Sequence, residues 1–177
     1  MCCMVDTIPI ECTAGASPVM MQKIIRVESS GNPFAIGVVG GRLARQPRTL
    51  EEALATTAEL EKQGFNYSIG ISQVNRQHFE RLGWKKQISE GFDPCANLRA
   101  GAAIFKNCYS GALRAGYVAE KATSEYSATH ASLSCYYSGK YEASVSTGYV
   151  TKVLGTGTAV VPRKVPFGKK TAPSMFD

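Results

Sequence analysis

The sequence has no long apolar run. Nothing in it approaches the ~18 consecutive apolar residues that cross a bilayer as a helix, so a transmembrane helix is excluded. Histidine is scarce: His78 and His130 stand far apart, and no CxxC pair accompanies them, which leaves too few ligands at usable spacing for a metal site. The glycine-rich stretch from Gly37 to Gly41 lacks the Lys-Ser/Thr pair and the strand context of a phosphate-binding loop. No metal and no cofactor are therefore expected. Acidic residues are outnumbered, 14 Asp plus Glu against 20 Lys plus Arg, and the net charge of +6 favours anionic partners such as cell-wall polymer, nucleic acid or lipid headgroups. The basic residues are scattered rather than clustered among stacking aromatics, which argues against a nucleic-acid surface. Met1 to Ile10 has no basic n-region and carries Asp6 where an apolar segment would be needed, so no recognisable secretory leader is read there.

What is present suits one folded domain: 177 residues, of which 44% are hydrophobic and 19% charged. Ser17-Pro18 reads as an N-cap and first helical position, followed by Val19, Ile24, Ile25 and Val27 as a largely buried helix that ends near Ser30-Gly31-Asn32-Pro33. Thr49-Leu-Glu-Glu52 reads as a capping box opening a helix that Gly64 closes. A short helix is expected over Val74 to Leu82, and Asp93-Pro94 caps a longer one through Leu98, Ala102, Phe105 and Tyr109. Another runs from about Ser124 to Gly139, and Tyr149 to Leu154 closes the pattern with a turn or two. Strand signals are thin: Phe65 to Ile71 is ambiguous, and Thr158 to Val161 is flanked by breakers. The expected fold is mainly α, with little or no β-sheet. We divide the chain into an N-terminal extension over 1–11, a domain over 12–155 and a flexible Pro- and Lys-containing tail over 156–177.

Glu28 is the residue that points to chemistry. It closes an apolar helix and is followed at once by Ser29-Ser-Gly-Asn-Pro33. A carboxyl group at the edge of a core, facing a cleft, loses hydration, and its pKa rises until a proton is available near neutral pH. Three further stretches follow in order: Tyr67-Ser-Ile-Gly-Ile-Ser-Gln-Val-Asn75, Leu133-Ser-Cys-Tyr-Tyr-Ser-Gly139 and Gly148-Tyr-Val150.

With Glu28-Ser29, this ordered set resembles the signatures of the soluble lytic transglycosylases of lysozyme-like (goose-type) fold, and most closely the branch that accompanies type IV secretion and conjugation machines. Ala35-Ile-Gly-Val-Val-Gly40 and Phe92-Asp-Pro-Cys-Ala-Asn-Leu98 also look like that branch, and the likeness covers about Cys12 to Leu154. The resemblance implies that Glu28 is the catalytic acid and base and that Tyr136 brings its hydroxyl to the catalytic carboxyl. It also implies that Gln73 lines the cleft and that Ser29 anchors the end of the Glu28 helix, and both are expected to contact the substrate. Asn75 and Tyr149 are candidate groove residues, with helix capping and core packing as their respective alternatives. His78 is assigned no role. This chain has Tyr136-Tyr137 where the family usually has Tyr-Asn, and Gly70-Ile-Ser-Gln73 where it usually has Gly-Leu-Met-Gln.

Most glycosidases use two carboxylates. Here Glu51, Glu52, Glu59 and Glu61 belong to a separately capped helix and Asp93 reads as an N-cap, so only Glu28 presents itself. The family mechanism then implies cleavage of the β-1,4 bond after N-acetylmuramic acid with closure of a 1,6-anhydro ring. Two other readings compete: a hydrolytic goose-type lysozyme with a second carboxylate, and an inactive peptidoglycan-binding scaffold for assembly. The implied partners are peptidoglycan glycan strands and components of the secretion or conjugation apparatus, and the implied compartment is the periplasm.

Of six cysteines, Cys12, Cys95, Cys108 and Cys135 fall in the domain, while Cys2 and Cys3 have no assigned role. Cys95 and Cys108 lie on one predicted helix about 20 Å apart, at 1.5 Å of rise per residue, and cannot bridge each other. Two pairings remain, 12–95 with 108–135 or 12–108 with 95–135, alongside four buried thiols.

Overall fold

The computed structural model describes residues 9–117, 127–143 and 148–155. The segments expected as the flexible tail and as the Thr158 to Val161 strand lie outside the described residues, as do Cys2 and Cys3. The first long helix, α1, spans Pro18–Glu28; Ser17 Oγ accepts the Met20 N–H, and Pro18 stands where no N–H partner is needed. Met21, Ile24 and Ile25 turn inward. Val19, expected inside, is 63% exposed. Two residues of helix rotate it ~200° from Met21, to the opposite face.

Helix α2 spans Leu50–Lys62, and its N-terminal cap is half of what was expected. Thr49 Oγ accepts the Glu52 N–H at 3.2 Å, but the Glu52 carboxylate turns away to the Arg48 N–H and the Arg45 guanidinium. The expected helix over Val74 to Leu82 is split. Val74–Asn75 is a strand, β3; Arg76–His78 is a 3-10 turn; only Phe79–Leu82, α3, is α-helical, closed by Gly83 in the left-handed region. Gln73, at φ 49°, breaks any helix entering from the left, and Val74 pairs opposite Ile69 instead.

That pairing belongs to a small antiparallel sheet in the order β1 (Ile36–Val38), β2 (Tyr67–Ile69), β3. Ile36 faces Ile69 and Val38 faces Tyr67 across the first ladder. The fold is mainly α, as expected, with this sheet as its one β feature among the described residues. Asp93 Oδ1 accepts the Ala96 N–H at 2.8 Å and opens α4, Pro94–Arg114. Helix α5, Ala128–Ser138, packs its Ala131 and Leu133 inward and ends at left-handed Gly139; its expected start near Ser124 lies outside the described residues. Helix α6 spans Tyr149–Leu154 between Gly148 and Gly155, both with positive φ.

Two main cores result. One gathers Met21, Ile24, Leu98, Phe105 and Leu133 between α1, α4, α5 and α6. The other gathers Ile69, Tyr67, Phe79 and Trp84 under the sheet. Cys12–Cys95 ties the turn before α1 to the first turn of α4, and Cys108–Cys135 ties α4 to α5, which selects the first of the two expected pairings.

Candidate active site

Glu28 is the last residue of α1, and the chain leaves it through Ser30 at φ 53° and Gly31 at φ 80°. Ser29 holds this exit: its Oγ lies 2.8 Å from the Ile71 carbonyl as donor and accepts the Gly31 N–H at 3.1 Å. The hydroxyl is thus engaged with backbone, in keeping with anchoring and away from the substrate contact also expected of it. The Glu28 carboxyl is largely enclosed, and burial pushes its pKa up to about 7, with a bond from Tyr149 acting in the opposite direction. Tyr149 donates its hydroxyl to Glu28 Oε1 at 2.6 Å, across 121 residues of chain.

The tyrosine expected to reach the carboxyl was Tyr136. Its hydroxyl donates instead to the Ser72 carbonyl at 2.6 Å, while burial and then the Glu28 charge raise its pKa well above the ordinary value. The two tyrosines have divided the work: Tyr149 holds the acid and Tyr136 ties α5 to the turn opposite.

That turn, Gly70 to Gln73, is gripped by Asn97. The fully buried Asn97 donates Nδ2 to the Ile69 and Gly91 carbonyls at 2.9 and 2.8 Å and accepts the Ser72 N–H on Oδ1 at 2.8 Å. Gly70 sits at φ 76°, and a Cβ there would lie 2.2 Å from Asn97 Nδ2, so glycine is required for both conformation and space. Gln73 follows, donating Nε2 to the Ala35 and Gly70 carbonyls at 3.0 and 2.9 Å. Its Oε1 occupies the space beside Gly37, 2.6 Å from where a Cβ would be. The glycine-rich stretch therefore makes room for the glutamine. Ser72 Oγ is fully buried and without a hydrogen-bond partner, so this side chain does not face solvent.

A groove of about 740 Å³ runs between the sheet and α5, lined by Glu28, Gln73, Asn75, His78, Tyr136 and Tyr137 among others. Among its described lining residues Glu28 is the one carboxylate. Three of the other acids have partners elsewhere: Glu52 pairs with Arg45, Glu61 accepts from Tyr67 and Arg76, and Asp93 caps α4. Asn75 lines the groove and also caps the turn after β3, accepting the Gln77 N–H and donating to Asn66 Oδ1 and Ser68 Oγ. His78, given no role, lies on the same rim, where burial and then Arg81 hold its imidazole below its usual pKa. Tyr149 lies behind Glu28, 5% exposed, and does not line the groove.

Two residues received no role from the sequence. Asn97 was readable as an amide in register with Gly101 and Cys108 on a buried helix face, since the i, i+4 and i+11 positions align. Tyr137 was visible only as the tyrosine standing where an asparagine is usual; in the fold its ring stacks on that of Tyr149, with centroids 4.6 Å apart and planes at 23°.

The Transglycosylase SLT domain family matches residues 8–142. The type IV secretion system protein virB1 of Brucella suis is 40% identical over 169 residues, covering 88% of this chain and 68% of that protein. The namesake from Brucella abortus stands at the same identity and coverage. Protein virB1 of Agrobacterium fabrum is 26% identical over 156 residues, or 86% of this chain and 58% of that protein. No solved structure matches the chain with significance.

Proposed function

The chain belongs to the Transglycosylase SLT family, and from that premise we propose that Glu28 is its general acid and then its general base. The protein is a lytic transglycosylase of the type IV secretion kind, and its substrate is peptidoglycan. One observation carries the residue assignment: an enclosed carboxyl with its pKa near 7 is the one acid lining the groove among the described residues. At neutral pH such a group is protonated in about half of the molecules, which suits a residue that must both give and take a proton.

In the reaction we assign, protonated Glu28 gives its proton to the glycosidic oxygen after N-acetylmuramic acid, and the C1–O bond breaks with its electron pair going to that oxygen. The substrate's own acetamido group stabilises the cationic C1. The Glu28 carboxylate then takes the proton of the C6 hydroxyl as its oxygen attacks C1, closing the 1,6-anhydro ring and restoring the acid. No water is consumed. Attack from within the same sugar avoids the entropy of positioning a second reactant. A hydrolytic enzyme would place a second carboxylate across the bond, and the groove supplies none among its described residues.

In this reading Tyr149 positions Glu28 and lowers its pKa, Tyr136 and Ser29 position the two walls, and Gln73 and Asn75, their amides held by neighbouring groups, form the part of the groove wall that meets the sugar. The catalytic domain is 12–155. Relatives named for type IV secretion, together with two disulfides, support an extracytoplasmic protein. We place it in the periplasm, opening the wall where apparatus components assemble. Mass spectrometry of muropeptides released from purified sacculi tests the chemistry. Anhydro products, lighter by one water than hydrolysed ones, are expected, and Glu28→Gln should lower their release ~10³-fold, within the range general acid–base groups contribute. Hydrated products, or parental release by the variant, would overturn the assignment.

A further inference from the structure

Helix α5 ends with Tyr136, Tyr137 and Ser138 before Gly139 turns the chain at φ 74°. Consecutive helical residues point ~100° apart, so Tyr136 and Tyr137 serve different surfaces. Tyr136 reaches in to the Ser72 carbonyl, and Tyr137 lies over the groove. One face of the Tyr137 ring is covered by Tyr149, and the residue is nevertheless 53% exposed. Tyr137 lines the groove that contains Glu28.

We propose that Tyr137 is a stacking platform for a pyranose ring of the glycan strand, set beside the acid by the ring beneath it. The proposal rests on the assignment of Glu28 given above. The ring beneath is Tyr149, whose hydroxyl holds Glu28 Oε1, so platform, support and acid are linked by direct contacts, ring on ring and then hydroxyl on carboxyl. A flat aromatic face presented to water matches the C–H face of a pyranose, whose hydroxyls then point sideways to polar partners. The Gln77 amide and the remaining acceptor position of Asn75 Oδ1 stand on the same groove and suit those hydroxyls and the acetamido group. Holding the ring against Tyr149 also lowers the entropy lost when sugar binds, because a tyrosine has only two side-chain torsions to fix. Tyr137 is thus a substrate-binding residue for the sugar nearest the reacting bond.

Binding in the Glu28→Gln background separates affinity from turnover. Calorimetry with a β-1,4-linked N-acetylglucosamine tetramer, and with uncrosslinked glycan strands, would compare Tyr137 with Phe, Leu and Ala at that position. Tyr137→Ala should weaken binding about tenfold, which corresponds to the loss of one aromatic stacking contact. Tyr137→Phe should stay within about twofold, since the face is kept. Tyr137→Leu still covers Tyr149 but has no flat face, and it should behave like Ala. Unchanged affinity in Tyr137→Ala, or restored affinity in Tyr137→Leu, overturns the platform. In the active background, Tyr137→Ala should raise KM more than it lowers kcat and leave the pH limb of kcat in place. A moved limb with unchanged KM would instead mean that Tyr137 acts through Tyr149, and would also overturn the proposal. Failure of the catalytic reading is a separate event, seen as turnover by Glu28→Gln itself.

Discussion

On one side of the groove, α1, α4, α5 and α6 pack around Met21, Ile24, Leu98 and Leu133 and carry both described disulfides. On the other, three strands of two or three residues pack with α2 and α3 around Tyr67, Phe79 and Trp84, with the ion pairs Arg45–Glu52, Arg76–Glu61 and Lys85–Glu80 at the surface. Exposed ion pairs contribute little in water, so the sheet side depends on its aromatic core and its turns. The helical side has a different problem, because it holds Glu28. Burial that lifts a carboxyl from 4.5 to about 7 costs about 3 kcal/mol of folding stability once the group is ionised. The sign follows from proton linkage: the folded chain holds the proton more tightly, so stability is fully present below about 4.5 and is lost as pH rises through about 7. Covalent staples thus sit in the wall that carries the buried acid, and the facing wall, which brings Gln73 and Asn75 to the groove, is built from hydrogen-bonded turns.

The joint between the walls is the place to break this contrast. Asn97 belongs to α4 but makes its three bonds to Ile69, Ser72 and Gly91 on the other side. Asn97→Ala leaves one buried N–H and two carbonyls without their partner and should cost about 4 kcal/mol, read as a lower midpoint in urea. A loss under about 1 kcal/mol would mean that water replaces the amide and that the walls are joined by packing alone. The next largest effect sharpens the comparison. Replacing Cys108 and Cys135 by serine frees a loop closed over 27 residues and should cost about 3.5 kcal/mol on the chain-entropy account. Hydrogen exchange should then rise in α4 and α5 and stay nearly unchanged in β1 to β3; equal acceleration in both walls would show that they unfold as one unit.

The same division decides what could be read from the sequence. Helix ends set by neighbours in the chain were legible: Ser17-Pro18, Asp93-Pro94 and Gly139 act within one turn. The sheet was not, because strands of two or three residues carry no alternation to detect, and Val74, Phe79 and Leu82 suggest a helix that the positive φ of Gln73, just before them, and the pairing of Val74 with Ile69 prevent from starting there. In the site, Glu28, Gln73 and Tyr136 were marked by motif, and the structure brings all three to one groove. Which tyrosine touches the acid was beyond reach, since Tyr149 and Glu28 meet only through the packing of α6 against α1. Asn97 escaped for a similar reason: its partners come from three separate segments, and no local pattern requires them.

The smallest expected effect isolates the contact between Tyr149 and Glu28. The bond from Tyr149 holds the Glu28 pKa down against burial, so Tyr149→Phe should let it rise above about 7. A hydrogen bond to a charged group is worth about 1.5–3 kcal/mol, so the rise should be about one unit or somewhat more. Because the first step needs the protonated acid, activity falls on the alkaline side as Glu28 ionises, and the variant's alkaline limb of kcat/KM should move upward by that amount. Phenylalanine keeps the ring on which Tyr137 stacks, so the affinity for glycan should change less than the pH profile does. Stability gives an independent reading of the same shift. Above the folded pKa the variant should lose about 1–2 kcal/mol relative to the parent, because its carboxylate is buried without a donor, and below about 4.5 most of that difference should vanish. A collapse of kcat with the limb unmoved would instead make Tyr149 a direct proton donor, and the wall would then hold two reacting groups rather than an acid and its support.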